Sequence, residues 1–76
     1  MLRKEDLKVG DPVHYQPSHY LKDDRWENGI VKEVPEFTLS SVRVVYNVAE
    51  NDWEHYEQYT SAMTDARDLN KGWRNK

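Results

Sequence analysis

Two histidines, His14 and His19, stand ahead of the adjacent acids Asp23 and Asp24, a grouping that invites comparison with a metal site. Its spacing matches no established ligand pattern, and His14 falls beside Tyr15 in a stretch that reads as strand. For a nucleophile the candidates are Ser18, next to His19, and the pair Ser40 and Ser41. No strained Gly-x-Ser-x-Gly elbow surrounds any of them. Asp23 and Asp24 are neighbours in sequence, so their carboxylates point apart rather than sharing a proton as an acid/base pair does. With only three glycines there is no loop to cradle a phosphate. These residues predict a non-enzyme that needs neither metal nor cofactor.

The aromatic and acidic residues are more telling. Between Arg43 and Arg67 there is no Lys or Arg, while that interval holds five acids, Glu50, Asp52, Glu54, Glu57 and Asp65. The same interval carries Trp53, Tyr56 and Tyr59. Such a segment is either a solvated acidic loop or a surface built to receive a cation over a ring face. Trp26 and Trp53 both sit among charged residues, where a ring is hard to bury, and they are the strongest contact candidates. Tyr15, Tyr46 and Trp73 read first as structural.

Size and composition limit what must hold these side chains in place. A chain of 76 residues without Cys has no disulfide, and no Cys/His pattern offers a structural zinc. A single domain of this size buries only roughly 60% of the surface its unfolded chain exposes. Its 12% aromatic content must therefore supply much of the core. No apolar run approaches the ~20 residues of a membrane span, and residues 1–11 contain no apolar leader core. The expectation is a cytoplasmic, monomeric domain over residues 1–76. Its net charge of −3 is unlike that of a strongly basic nucleic-acid module.

The elements follow from local pattern. "LKVGDPVHY" places Leu7, Val9, Val13 and Tyr15 on one parity, with a turn at Gly10-Asp11. Pro12 suits a strand start, so a first strand is expected from about 12 to 16. "QPSHYLKDD" reads as a long loop. Ile30, Val31 and Val34 form a second strand that Pro35 closes. In "SVRVVYN", Val42, Val44 and Tyr46 alternate with Arg43 and Asn47 as in a half-buried strand. Asn28-Gly29 is a strong hairpin signal, yet the preceding "YLKDDRWE" does not alternate. Gly29 is therefore expected at the start of the second strand, where a missing side chain admits a close neighbour, with Trp26 at the strand's mouth. The expected core centres on Val13, Val31, Val44 and Tyr46.

Residues 52–68 support two readings. Asn51 followed by Glu54 resembles a capping box, and Trp53, Tyr56, Thr60, Met63 and Arg67 fall at helical spacing. Against a helix, Thr60-Ser61 and Thr64-Asp65 are weak helix residues, and aromatics with Thr suit a strand. The residue types favour a strand around 56–63, a short 3₁₀ turn begun at Thr64, and a final strand at "GWR".

Taken together, "LKVGDPVHY", the aromatic ahead of "GIVKEV", then "VRVVYN", "ARDL" and "GW" resemble a Tudor-type SH3-like barrel over residues 7–73. The resemblance implies an all-β fold, a five-stranded SH3-like (Tudor-like) barrel with a short 3₁₀ turn before the last strand. It also implies an aromatic cage for a methylated Lys or Arg. The matching positions are Tyr15 in strand one, Trp26 leading into strand two, Tyr46 ending strand three and Trp53 in the next loop, with Asn51 or Asp52 as polar partner. Two departures stand out: the loop from 16 to 25 and the stretch "NVAENDWEHYEQY" are both longer than in Tudor domains. The same barrel serves KOW-type RNA binders and small bacterial and phage domains of unknown function, so fold transfers better than role.

The expected function is recognition of a protein or peptide, with a basic or methylated side chain taken by an aromatic, acidic face. The alternatives are an RNA- or DNA-binding KOW-like barrel using Arg3, Lys4, Lys8, Lys22, Arg25, Lys32 and Arg43, and a structural subunit of a bacterial or phage assembly. The scattering of these bases among acids weakens the nucleic-acid footprint.

Overall fold

The computed structural model describes residues 2–16 and 26–74. The fold is all-β, with five antiparallel strands in one sheet: β1 (Pro12–Tyr15), β2 (Glu27–Glu33), β3 (Ser41–Val45), β4 (Ala62–Asp65) and β5 (Leu69–Lys71). Their order is β4-β3-β2-β1-β5, and the sheet is not closed by pairing of β4 with β5. The helical elements are short 3₁₀ segments at Lys4–Asp6, Ala49–Asn51, Trp53–Gln58 and Ala66–Asp68. None of the helices among the described residues is long and apolar enough to cross a membrane.

The turn before β1 forms where Gly10 and Asp11 predict it. Asp11 donates its backbone N–H to the Lys8 carbonyl at 3.1 Å, and its carboxylate accepts the Lys8 N–H at 2.9 Å. Gly10 takes a φ of +93° there, which suits a residue without Cβ. The same turn overturns one expectation. Val9 is exposed rather than in line with Leu7 and Val13, because it rides the tip of the turn instead of an extended strand. Pro12 opens β1, which lies between β2 and β5.

Asn28 and Gly29 lie within β2, paired with His14 and Val13, so they form no hairpin turn. At Gly29 the end of β3 crowds closely against β2. A Cβ built on it would lie 2.7 Å from Val44 Cγ1, 2.7 Å from the Val45 carbonyl oxygen and 3.0 Å from Tyr46 Cδ1. The strand also begins earlier than its apolar run at Ile30 suggests, because ladder bonds to β1 recruit polar Glu27 and Asn28.

Alternation along the strands sends side chains to two faces. The core face gathers Leu7, Val13, Val31, Val42, Val44, Ala66 and Leu69, with Leu2, Tyr15, Val34 and Tyr46 at its margin. Of the expected core, Val13, Val31 and Val44 are fully buried, and Tyr46 is half-buried. Ile30 and Val45, paired with each other, are also buried but point to the opposite face. Both faces of the central strands are therefore covered.

Residues 52–68 form no continuous helix, and of the alternative reading the 3₁₀ turn before the last strand is present while the strand is displaced. Glu50 and Asn51 take positive φ values of 53° and 60° just ahead of this stretch. Within it His55 departs from helical geometry and β4 takes over at Ala62, so no helix runs through. Strand pairing starts only at Ala62, so the strand expected around 56–63 is displaced to 62–65. The 3₁₀ turn forms at Ala66–Asp68, two residues after the expected start at Thr64. Asp65 caps it by accepting the Arg67 N–H at 2.9 Å. The last strand comes earlier than "GWR", since Leu69–Lys71 pairs with β1 and Gly72 leaves the sheet at a φ of +86°.

Two substitutions check this packing. Val44→Asp should abolish the cooperative thermal transition followed by circular dichroism, because an unpaired carboxylate would be buried in the core. Gly29→Ala should lower stability by ~1–3 kcal/mol in chemical denaturation, since one of the crowding atoms is backbone and cannot move aside. Elsewhere in a strand the same change relieves backbone entropy. A Gly29→Ala protein at or above wild-type stability would disprove the close approach.

Candidate functional site

Tyr15 and Tyr46 meet on the core-face margin, edge to face, with ring centroids 6.1 Å apart. The Tyr46 hydroxyl shares a 2.8 Å hydrogen bond with Thr64 Oγ1 on β4. Burial pushes the Tyr46 phenol up to about 12, and the nearby charge of Glu27 adds to this while the Thr64 bond opposes it. Tyr46 therefore stays protonated and neutral at physiological pH.

Trp53 and Trp73 form a second ring pair, with centroids 5.0 Å apart and planes tilted by 44°. This pair belongs to the opposite side of the sheet. There, the 3₁₀ segment Trp53–Gln58 lies against β2, and residues 72–74 run beside His14 and Asn28, whose side chains point away from the core. The Trp73 indole N–H donates to the Gly29 carbonyl at 2.8 Å. On the same side Trp26 carries the Arg74 guanidinium, its central carbon 4.4 Å from the ring centroid. The four rings expected to converge are thus drawn into separate contacts among the described residues: Tyr15 with Tyr46, Trp53 with Trp73, and Trp26 with Arg74.

Asp52 organises the acidic segment. Its carboxylate accepts from the Tyr59 hydroxyl at 3.0 Å and lies 2.7 Å from His55 Nδ1. The side-chain hydrogen bond to His55, followed by that to Tyr59, lowers the Asp52 pKa, and the Asp52 bond raises those of His55 and Tyr59. This cluster holds the turn from 52 to 59, so Asp52 serves the loop's shape rather than a helix cap.

Beside it, a groove of about 360 Å³ opens between the end of β3 and the approach to β4, lined by Val44, Tyr46, Asn47, Tyr59, Thr60, Ser61 and Ala62. Tyr59 links this groove to Asp52. Lys32 also reaches the margin, donating from Nζ to the Tyr59 carbonyl at 2.7 Å. Tyr59, Asn28, Trp73 and Arg74 are absent from the expected site. Asn28 and Arg74 are 46 residues apart, and no local spacing announces such a contact.

His19, Ser18, Asp23 and Asp24 lie outside the described residues, as do Lys22 and Arg25. Among the described residues no three His, Asp or Glu side chains gather as metal ligands.

The Asp52 cluster has a pH signature. The His55 contribution is full below its ordinary 6.5 and is lost as pH rises through its raised pKa. The Asp52 contribution is full above 3.8 and is lost as pH falls through its lowered pKa. An NMR titration of the His55 ring should show a midpoint above 6.5 that falls back in Asp52→Asn. A midpoint indifferent to that substitution would break the pairing.

No protein-family model matches the chain, and no curated protein or solved structure matches it either.

Proposed function

We propose that this chain is a non-catalytic binding module with a Tudor-like, SH3-like architecture, which takes a basic side chain of a protein or peptide on its aromatic, acidic face. The observation that carries this is the groove lined by Tyr46 and Tyr59, set in a stretch from 44 to 66 with five acids and no Lys or Arg. At about 360 Å³ it is of a size to admit one long side chain rather than a large cofactor. A cation over a tyrosine face gains ~0.5–2 kcal/mol, more as water is excluded. The nearby Asp52 carboxylate, held ionised by its hydrogen bonds, adds attraction.

Three of the basic residues that a nucleic acid would need are engaged within the chain. Lys4 donates to the Thr38 carbonyl, Lys32 to that of Tyr59, and Arg43 pairs with Glu33 at 2.9 Å. A phosphate backbone would have to compete with these contacts and approach away from the acidic segment.

The test is a pair of titrations into isotopically labelled protein, one with a trimethyl-lysine peptide and one with a short single-stranded RNA. The peptide should shift the backbone signals of Tyr59, Thr60 and Ser61, with binding weakened about tenfold or more in Tyr59→Ala, as loss of a ring from a desolvated cation site implies. Steeply salt-dependent shifts around Lys8 and Arg43 with RNA alone would replace this function with nucleic-acid binding.

A further inference from the structure

Residues 72–74 are held by polar and aromatic contacts. Asn28 grips the backbone of Arg74 on both sides: its Nδ2 donates to the Arg74 carbonyl at 2.8 Å, and its Oδ1 accepts the Arg74 N–H at 2.9 Å. A side-chain amide here copies the donor–acceptor pair of a neighbouring strand, so it reads an extended backbone whatever the sequence. The arginine side chain is read separately. Its guanidinium stacks on Trp26 at 4.4 Å, and one terminal nitrogen donates to Gln16 Oε1 at 2.6 Å. The preceding residue is read as an aromatic, with Trp73 against the Trp53 ring and its indole N–H on the Gly29 carbonyl. His14 Nδ1 lies 2.8 Å from the Gly72 carbonyl oxygen.

These contacts lie outside the apolar core, whose members include none of residues 72–74. Trp73 keeps 42% of its surface exposed. The segment leaves the sheet at Gly72, whose N–H donates to the Pro12 carbonyl at 2.8 Å and whose φ of +86° suits a residue without Cβ. A segment needed only to complete the fold would be held by apolar burial. This one is held by main-chain pairing, a stacked cation and one aromatic contact, the combination by which peptides are recognised.

We propose that the face of β1 and β2 formed by Gln16, Trp26, Asn28 and Trp53 is a binding site for an extended peptide segment with an aromatic residue followed by arginine, and that Trp73-Arg74 occupies it in cis. The partner is a protein presenting that segment, and it binds by displacing the chain's own. An attached occupant acts at an effective concentration in the millimolar range, so the intact chain masks the site against any weak competitor. Affinity for an outside segment is reduced in proportion to the small fraction of molecules with the site open. This site uses neither Tyr46 nor Tyr59, so the peptide titrations that test the two sites read different residues.

The experiment uses the full chain carrying W73A and R74A together, and a blocked synthetic peptide copying residues 70–75. The signals to follow are the Asn28 side-chain amide and the Trp26 and Trp53 indole N–H groups. Saturable shifts of these signals are expected in the double variant, with the intact chain binding the peptide at least about tenfold more weakly. A peptide with its arginine replaced by alanine should not bind, and adding N28A to the double variant should abolish binding. Should the double variant fail to fold, R74A alone keeps Trp73 on Gly29, and the peptide must still bind it more tightly than the intact chain. A folded variant with none of these shifts, or equal binding to variant and intact chain, would show that the segment is a strap and overturn the proposal.

Discussion

The missing side chain at Gly29 is the constraint on which the rest of the molecule depends. It lets the Tyr46 ring and Val44 lie over β2 at a distance no other residue would permit. On the core side this brings Tyr46 to Tyr15 and to Thr64, tying β1, β3 and β4 together at one end of the sheet. The Gly29 carbonyl, on the same residue, anchors the Trp73 indole and hence the chain's last described turn. One backbone position therefore couples the packing of both faces.

A small domain without disulfides must bury its sheet on more than one side, and this chain does so asymmetrically. The core face is closed by aliphatic side chains in a single cluster. The opposite face buries Ile30 and Val45 and is attended by the 3₁₀ segment and residues 72–74, whose contacts are largely polar and aromatic. Such contacts open at lower cost than the packed aliphatic cluster. The exchange of peptide segments proposed for this face requires that part of it open while the aliphatic cluster stays packed.

The acidic stretch illustrates how a charge pattern acquires shape. Five acids without a base repel one another, and an unsupported loop of that composition would stay extended. Here Asp52 is turned inward on Tyr59 and His55, while Lys32 from β2 caps the Tyr59 carbonyl. The left-handed backbone at Glu50 and Asn51 reverses the chain just before this cluster. Two non-glycine residues in that region carry a conformational cost, which the hydrogen bonds that follow offset. The groove beside Tyr46 and Tyr59 exists because this loop is folded rather than splayed.

By itself the sequence determined the elements whose cause is local. Alternation of Val42, Val44 and Tyr46 with Arg43 and Asn47 specifies β3, Gly10 with Asp11 specifies the turn before β1, and Pro12 is confined to a strand start or an edge. The failure of "YLKDDRWE" to alternate was enough to reject a hairpin turn at Asn28-Gly29 and to put Gly29 at the start of the second strand, which pairing with β1 extends back to Glu27. The aromatic and acidic character of residues 50–59 was equally legible, because composition needs no register. Tertiary structure alone decided where the rings go. Tyr15, Trp26, Tyr46 and Trp53 are all present, but strand parity sends Tyr15 and Tyr46 to one face, and Trp53 and Trp26 find Trp73 and Arg74 on the other. Between Trp53 and Ala62 strand and helix propensities nearly cancel, so backbone reversal at Glu50 and pairing of β4 with β3 set the outcome. The contact of Asn28 with Arg74 joins residues 46 apart, and a pairing across that distance follows only once the sheet has brought β1, β2 and β5 side by side.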